Sequence, residues 1–263
     1  MATATRRSGI LCHPTSMPSP YGIGDLGAAA DEFIAFLAEA GQSLWQILPV
    51  GPTGYGDSPY QSFSAFAGNH LLIDLEQLID EGLLTREEAA APDTLSDERV
   101  RYGEVIQFKD RVLRSAFARF RNGSLASAEY QAFCQENGHW LDDYALFMAL
   151  KPHFGWASWT DWEPDIASHQ QDALERYRTL LAEEVSYQCF LQFTFEGQWR
   201  RVTGQANDAG LTVIGDVPIF VGHDSADVWS HQHLFRLDER GLPTVVAGVP
   251  PDYFSPTGRL WGN

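Results

Sequence analysis

The stretch that decides the fold is Leu44-Trp45-Gln46-Ile47-Leu48-Pro49-Val50, an apolar run typical of a buried strand. It leads directly into a long loop rich in glycine, proline, serine and tyrosine: Gly51-Pro52-Thr53-Gly54-Tyr55-Gly56-Asp57-Ser58-Pro59-Tyr60-Gln61-Ser62-Phe63-Ser64-Ala65-Phe66-Ala67-Gly68-Asn69. Proteins of the α/β class place their binding chemistry in loops at the carboxyl ends of parallel strands. Rings that stack on pyranose faces, interleaved with hydroxyl groups, suit a sugar, whereas the alternative is a surface loop whose rings cover the core.

A βαβ unit includes this strand. An earlier apolar run, Gly9-Ile10-Leu11-Cys12-His13, predicts a short buried strand, and a loop rich in proline and glycine follows over 14–26. A helix comes next, with Gly41 placed as its C-terminal stop. Its apolar positions near helical spacing are Phe33, Leu37 and Ala40. Strand, helix and strand in so short a stretch predict a parallel sheet, because parallel strands need a crossover connection.

Residues 52–170 form an excursion that is too long for an ordinary βα loop. Two helical stripes lie inside it, the first formed by Val105, Phe108, Val112 and Phe117, and the second by Leu141, Tyr144, Ala145 and Met148. Gly123 and Pro152 are placed as the ends of these helices. We therefore expect a helical subdomain inserted after the second strand. Three tryptophans spaced by three residues are expected to pack within it: Trp156, Trp159 and Trp162.

A third strand signal follows a helical pattern over 171–209 that Gly210 closes. It is Leu211-Thr212-Val213-Ile214-Gly215-Asp216-Val217-Pro218-Ile219-Phe220-Val221. Asp216 stands just beyond the apolar residues of this run, where desolvating a carboxylate is costly unless hydrogen bonds offset the cost. We expect Asp216 to accept substrate hydroxyl groups or to stabilise charge; the alternative is that it accepts backbone N–H groups in a turn.

The last residues repeat the signature of the first loop. The stretch Gly248-Val249-Pro250-Pro251-Asp252-Tyr253-Phe254-Ser255-Pro256-Thr257-Gly258-Arg259-Leu260-Trp261-Gly262-Asn263 combines proline and glycine with polar and aromatic side chains. Polar and ring contacts are offered by Asp252, Tyr253, Arg259 and Trp261. Upstream of this stretch, Asp224 or Ser225 is placed to cap a short helix.

Charge and cysteine content argue against several classes of protein. The net charge of −17 repels phosphate backbones and anionic lipids, so nucleic acid and membrane partners are not expected, whereas a neutral substrate is compatible. The three cysteines, Cys12, Cys134 and Cys189, lie far apart without zinc or redox spacing and favour a reduced, cytoplasmic protein. We expect neither a secretion signal nor a transmembrane segment, since no apolar run of suitable length occurs.

Motifs for other chemistries are missing from the sequence. Neither the phosphate-binding GxxxxGK[ST] pattern nor the GxSxG nucleophile elbow occurs, and the HExxH pattern of zinc peptidases is also absent, so no metal site is expected. Gly22, Gly24 and Gly27 nominally satisfy GxGxxG. These glycines follow a long loop instead of coming directly after a strand, so they indicate turns and not a dinucleotide site.

The long motifs closely resemble the 4-α-glucanotransferases called amylomaltases or disproportionating enzymes, of glycoside hydrolase family 77. The resemblance extends over essentially the whole chain and is strongest at Gly51–Asn69, Gly215-Asp216-Val217-Pro218-Ile219-Phe220-Val221, Val245-Val246-Ala247-Gly248-Val249-Pro250-Pro251-Asp252-Tyr253-Phe254-Ser255 and Leu260-Trp261-Gly262-Asn263. It implies a (β/α)8 TIM barrel with inserted helical subdomains. It also implies transfer of α-1,4-glucan segments between maltooligosaccharides by a retaining double displacement, without a cofactor.

The resemblance implies that this chain is the N-terminal portion of such a barrel, with about three of its eight strands. The expected organisation is a first βαβ part over 1–51, an inserted loop and helical subdomain over 52–170, and a return helix, third strand and active-site loop over 171–263. The nucleophilic Asp, the acid/base Glu and the transition-state Asp of the family have no matching position here. We therefore expect the catalytic residues beyond residue 263.

By the same resemblance, the residues expected to line the donor and acceptor subsites are Ser58, Tyr60, Asp216, Asp252 and Trp261. Tyr55 is expected at a nearby or secondary glucan contact. Two alternatives stay open, a non-catalytic glucan-binding protein and an α-amylase-like hydrolase, and the oligomeric state is open as well. Made alone, the chain is expected to be inactive and poorly stable, because an incomplete barrel leaves a parallel strand with an unpaired edge.

Overall fold

A computed structural model of the chain describes residues 6–95, 98–123, 127–253 and 255–260. Two compact units are distinguished by their internal contacts. The first consists of Met1–Val50, Gly68–Gln135 and Phe190–Val217, and the second of Gly51–Ala67, Glu136–Cys189 and Pro218–Asn263. Each unit therefore gathers three separate stretches of the chain.

The first unit contains a three-stranded parallel sheet. Its strands, in the order β1-β2-β3, are Gly9–Leu11, Leu44–Gln46 and Thr212–Ile214. Trp45 in the central strand pairs with Ile10 on one side and with Val213 on the other. The parallel sheet expected from the sequence is thus confirmed, with the strands in their chain order.

The second strand is shorter than the sequence indicated. The apolar run 44–50 predicts a longer strand, but β2 ends at Gln46. One further ladder hydrogen bond joins Ile47 N to Ile214 O at 3.0 Å. Pro49 has no N–H to donate, so the ladder cannot continue through that position.

Helices form a large part of the described chain outside the sheet. Those in the described ranges are α1 Ala28–Glu39, α2 Leu75–Asp80, α3 Tyr102–Gly123, α4 Ala128–His153, α5 Pro164–Ala167, α6 Gln171–Leu180, α7 Ala182–Asp208 and α8 Ala226–Ser230. The crossover helix α1 is followed by Gly41 in the left-handed region (φ +67°), as expected of its stop. Within the described ranges, no helix is both long enough and apolar enough to cross a membrane.

The helical pattern over 171–209 forms two helices, so the expectation of a single helix is wrong. The chain breaks at Leu181, whose φ of −107° and ψ of 23° lie outside helical values. Arg178 lies in the last turn of α6, and Glu183 and Glu184 lie in the first turn of α7. These charges suit a helix C-terminus and a helix N-terminus respectively, because each complements the nearby helix dipole.

Aromatic side chains fill the core of each unit. In the first unit, Phe120 on α3 lies 4.9 Å from Phe190 and 5.3 Å from Tyr130, between ring centroids. The predicted stripes are confirmed, because all their members are buried: Val105, Phe108, Val112, Phe117, Leu141, Tyr144, Ala145 and Met148. In the second unit Phe147 lies 5.8 Å from Trp229. These contacts bury large apolar areas, which is the main source of stability.

Two of the three closely spaced tryptophans pack as expected and one does not. Trp159 and Trp162 are buried in the second unit. Trp156 is 58% exposed and its ring lies 6.3 Å from that of Phe63, so the expectation that it packs within the helical insert is wrong. The reason is local, since Gly155 (φ +62°) and Trp156 (φ +64°) both adopt left-handed backbone where the chain turns after α4.

Candidate functional site

The loop after the second strand folds as a small hairpin in the second unit. Gly54 N donates to Gln61 O at 2.7 Å, and Phe63 N donates to Pro52 O at 3.3 Å. A tight turn over Tyr55–Asp57 closes the hairpin. We call this element, residues 51–67, the first hairpin.

Two buried serine hydroxyls hold the first hairpin from inside. Ser62 Oγ lies 2.8 Å from Pro52 O and 2.7 Å from Ser64 O, and it accepts a hydrogen bond from Ser64 N. Ser64 Oγ accepts hydrogen bonds from Phe66 N at 3.1 Å and from Ala67 N at 3.3 Å. Because both hydroxyls satisfy backbone groups of the loop itself, they are structural and do not face a ligand.

Ser58 and Tyr60 lie together just beyond the turn of the first hairpin. Ser58 Oγ accepts a hydrogen bond from Tyr60 N at 3.3 Å, which ties the two residues into one short turn. The Tyr60 side chain is 43% exposed. The backbone of Tyr55 lies in the adjoining turn, where Gly56 (φ +72°) and Asp57 (φ +55°) are left-handed. The structure thus groups these three predicted residues on one loop.

Helix α8 fastens the far side of the first hairpin. Ala226 N donates to Phe63 O at 2.8 Å, and Asp227 Oδ2 accepts from Ala65 N at 3.0 Å. Burial raises the pKa of the Asp227 carboxyl, while the hydrogen bond from Ala65 acts in the opposite direction. Ser225 caps this helix through Val228 N, which confirms the expected cap.

A buried lysine adds a second support in the same unit. Lys151 Nζ donates to Ala157 O at 2.7 Å and to Trp156 O at 3.3 Å, and it also pairs with Asp224. Asp224 Oδ1 accepts in turn from Trp159 N at 3.3 Å. The ammonium lies 5.8 Å from the ring centroid of Phe63, within the range of a cation–π contact. Lys151 therefore joins α4, the following turn and the residues before α8.

A second hairpin in the second unit carries Asp252. Strands β4 Gly248–Val249 and β5 Arg259–Leu260 pair antiparallel. Asp252 Oδ1 accepts from Ser255 N at 2.7 Å, and Ser255 Oγ donates to Gly258 O at 2.7 Å, so hydrogen bonds tie these three residues together between the strands. Trp261, the remaining predicted site residue of this stretch, lies outside the described residues.

Asp216 belongs to the first unit and follows β3. Its Oδ1 accepts from Val217 N at 2.8 Å, which matches the turn alternative for this residue. The expectation of a carboxylate at the top of a buried strand is wrong, because Asp216 is exposed and Ile214, the last residue of β3, is 39% exposed. Among the described residues, β3 pairs with one strand, the central β2.

The described residues show no group of three or more His, Cys, Asp or Glu side chains arranged to hold a metal ion. Sequence reasoning missed Lys151 and Asp227 as supports of the first hairpin. A signal for Lys151 was present, since it falls three residues after Met148 and so continues the apolar stripe of α4. A lysine at such a position must find partners for its ammonium group.

Comparison with known proteins connects these features to one family. A sequence profile described as 4-alpha-glucanotransferase matches residues 12–263. The 4-alpha-glucanotransferase of Thermus thermophilus is 49% identical over 260 residues, which cover 98% of this chain and 51% of that protein. The 4-alpha-glucanotransferase of a Synechocystis strain is 51% identical over 261 residues, covering 98% of this chain and 52% of that protein. The chain thus spans about half the length of the curated relatives it matches.

A solved structure gives the same answer for the fold. The amylomaltase from Streptococcus agalactiae, solved in complex with acarbose, superposes with a TM-score of 0.95 at 41% identity, over 98% of this chain and 52% of that one. The parallel sheet and the surrounding helices define the class of fold, an α/β protein. Within that class, the chain belongs to the 4-alpha-glucanotransferase family.

Proposed function

We propose that the protein containing this chain transfers α-1,4-glucan segments between maltooligosaccharides. The observation that supports this most is the 49–51% identity, over 98% of the chain, to two proteins named 4-alpha-glucanotransferase. The first hairpin agrees with it, since Tyr60 offers an exposed ring beside the Ser58 hydroxyl. A glucan site needs an aromatic ring that stacks on a pyranose face and a small polar group that binds the sugar hydroxyls.

The substrate-binding residues in this part of the protein are Ser58, Tyr60, Asp216, Asp252 and Trp261, with Tyr55 at a nearby or secondary glucan contact. The exposure of Asp216 and Tyr60 supports this assignment. A carboxylate accepts two hydroxyl hydrogen bonds at adjacent oxygens, and a half-exposed ring can stack without moving.

The chemistry is a retaining double displacement on a (β/α)8 barrel, of which β1, β2 and β3 are the first strands. That mechanism needs two carboxyl groups about 5 Å apart on either side of the scissile bond. By the family resemblance, these groups lie beyond residue 263, so the chain made alone has no transferase activity. The division into 1–51, 52–170 and 171–263, with the helical insert after the second strand, is part of the same proposal.

The substrates are neutral α-1,4-glucans, which a chain of net charge −17 does not repel. Neither nucleic acid nor a membrane is a partner in this proposal, and the protein works without a cofactor. The compartment is the cytoplasm, where cysteines such as the three here, which lie far apart in the sequence, stay reduced.

Product analysis with maltotriose tests the function and separates the alternatives. A transferase forms glucose together with oligosaccharides longer than maltotriose. An α-amylase-like hydrolase forms only glucose and maltose, and a glucan-binding protein forms neither. Formation of longer products by the protein that contains this chain supports the proposal, and either of the other two outcomes contradicts it.

A further inference from the structure

Two glutamines of helix α7 hold the segment 68–74 through paired hydrogen bonds. Gln192 Oε1 accepts from Gly68 N at 2.8 Å, and its Nε2 donates to Gly68 O at 3.0 Å. Gln198 repeats the arrangement with Asp74, at 2.7 Å and 3.0 Å. A primary amide presents an acceptor and a donor side by side. Each glutamine therefore satisfies both the N–H and the C=O of one residue, as a neighbouring strand would in a sheet.

Gly68 is tightly enclosed. A Cβ atom added at Gly68 would lie 2.0 Å from Cδ1 of Phe195, so the glycine lies flat against that ring. Phe195 follows Gln192 by three residues and therefore shares its helix face. Gln192 is only 2% exposed, and each of its hydrogen bonds replaces one that water would otherwise supply.

The same position closes the base of the first hairpin. The chain leaves the first unit after Val50 and returns to it at Gly68. Asn69 N donates to Val50 O at 2.7 Å, so the two ends of the excursion are joined directly. Because Gly68 follows Ala67 directly, Gln192 holds the chain at the C-terminal end of the first hairpin.

We propose that Gln192 is a positioning residue for the first hairpin, the loop that carries Ser58 and Tyr60. It acts through the backbone of Gly68 and does not touch the substrate. The inference rests on the proposed function, because it assigns Gln192 to turnover through Ser58 and Tyr60. Gln198 makes the same pair of hydrogen bonds to Asp74, which lies six residues after Gly68 and caps the start of α2. Gln198 therefore serves the fold alone.

The two glutamines provide a matched pair of variants, Gln192→Met and Gln198→Met. Methionine is close to glutamine in size and removes both hydrogen bonds in each case. Both variants should lower the thermal unfolding midpoint by similar amounts. Only Gln192→Met should lower kcat on maltotriose, by about ten-fold or more, because small misplacements of binding groups slow turnover strongly. Only that variant should also speed amide hydrogen exchange, by about ten-fold, in peptides covering 52–66.

A second variant keeps the proposal testable if Gln192→Met does not fold. In Gln192→Glu the protonated acid offers an acceptor and a donor to Gly68, whereas the carboxylate would repel Gly68 O. We expect the kcat of this variant, relative to the wild type, to fall as pH rises from 5 to 8. A constant ratio over that range would overturn the proposal.

The outcomes separate this inference from the proposed function. If the wild-type protein disproportionates maltotriose, equal kcat in Gln192→Met and Gln198→Met overturns the positioning role. If the wild type does not turn over maltotriose, the proposed function fails and hydrogen exchange alone decides. Faster exchange over 52–66 confined to Gln192→Met would still support control of the hairpin, and equal exchange in both variants would overturn it.

Discussion

Lys151 Nζ lies 2.6 Å from Asp224 Oδ2, and the lysine side chain is only 1% exposed. The aspartate is 36% exposed, so this ion pair has one partner in the interior and one at the surface. A charge buried in this way is tolerated only with good hydrogen bonds, which the carbonyl oxygens of Ala157 and Trp156 supply. The pair therefore secures the helical part of the second unit.

Replacing Lys151 with methionine should lower the free energy of unfolding by about 2–4 kcal/mol, because it leaves buried carbonyl oxygens without their donor. Urea unfolding followed by tryptophan fluorescence would measure the change. Asp224→Asn is the matched variant, and it should cost about 1 kcal/mol, since the single amide oxygen can still accept from Lys151 and only the longer hydrogen bond from Trp159 N is lost. A loss for Lys151→Met no larger than that for Asp224→Asn would contradict this account.

Histidine burial should make stability depend on pH. Burial lowers the pKa of His13 to about 4, and its Nδ1 has no hydrogen-bond partner among the described residues. The unfolded chain therefore binds a proton near pH 6.5 that the folded chain does not, so this contribution to stability falls as pH drops from 6.5 towards 4. From pH 7 to 5 the loss from this residue should be about 2 kcal/mol.

The comparison of wild type with His13→Gln isolates this effect. The variant should lose about 2 kcal/mol less than the wild type over the same pH interval. Asp25 and Asp227, whose carboxyl pKa values are raised by burial, titrate in both proteins, so their contributions cancel. If the free energy of unfolding changed equally with pH in the two proteins between pH 7 and 5, His13 would not be held neutral by the fold.

Removing the exposed ring of the first hairpin should impair turnover and leave the fold intact. In the protein that contains this chain, Tyr60→Ala should lower kcat/KM on maltotriose by about ten-fold or more, because a stacking contact to the sugar is lost. Since Tyr60 is 43% exposed, the unfolding midpoint should change little. Phe36→Ala is a suitable control, as Phe36 is 53% exposed on α1 and lies outside both hairpins. Equal kinetics in the two variants would exclude Tyr60 from the site.

The parts of the fold that depend on local sequence patterns could be predicted from the sequence. The βαβ unit, the stripes of α3 and α4 and the stop at Gly41 all follow from periodicity and from glycine stereochemistry. The break at Leu181 was missed, because an apolar stripe can pass from one helix to the next without interruption. The charges on either side of it, Arg178 and Glu183, were the available signal.

The supports of the candidate site could not be predicted, because they join residues that are distant in sequence. Gln192 meets Gly68 across 124 positions, and Asp227 meets Ala65 across 162. Periodicity shows only that Gln192 lies on a buried helix face and needs partners for its amide. Which backbone group satisfies that amide depends on how the chain between them folds.

The central claim is that the protein transfers glucan segments to a sugar acceptor, and labelled glucose tests it most directly. The protein that contains this chain would be incubated with maltotriose and carbon-13 glucose, and the oligosaccharides would be examined by mass spectrometry. We expect labelled maltose and longer labelled products, with none formed by residues 1–263 alone. Consumption of maltotriose to glucose and maltose alone, with all label remaining in glucose and no longer oligosaccharides, would contradict it, since that result defines hydrolysis.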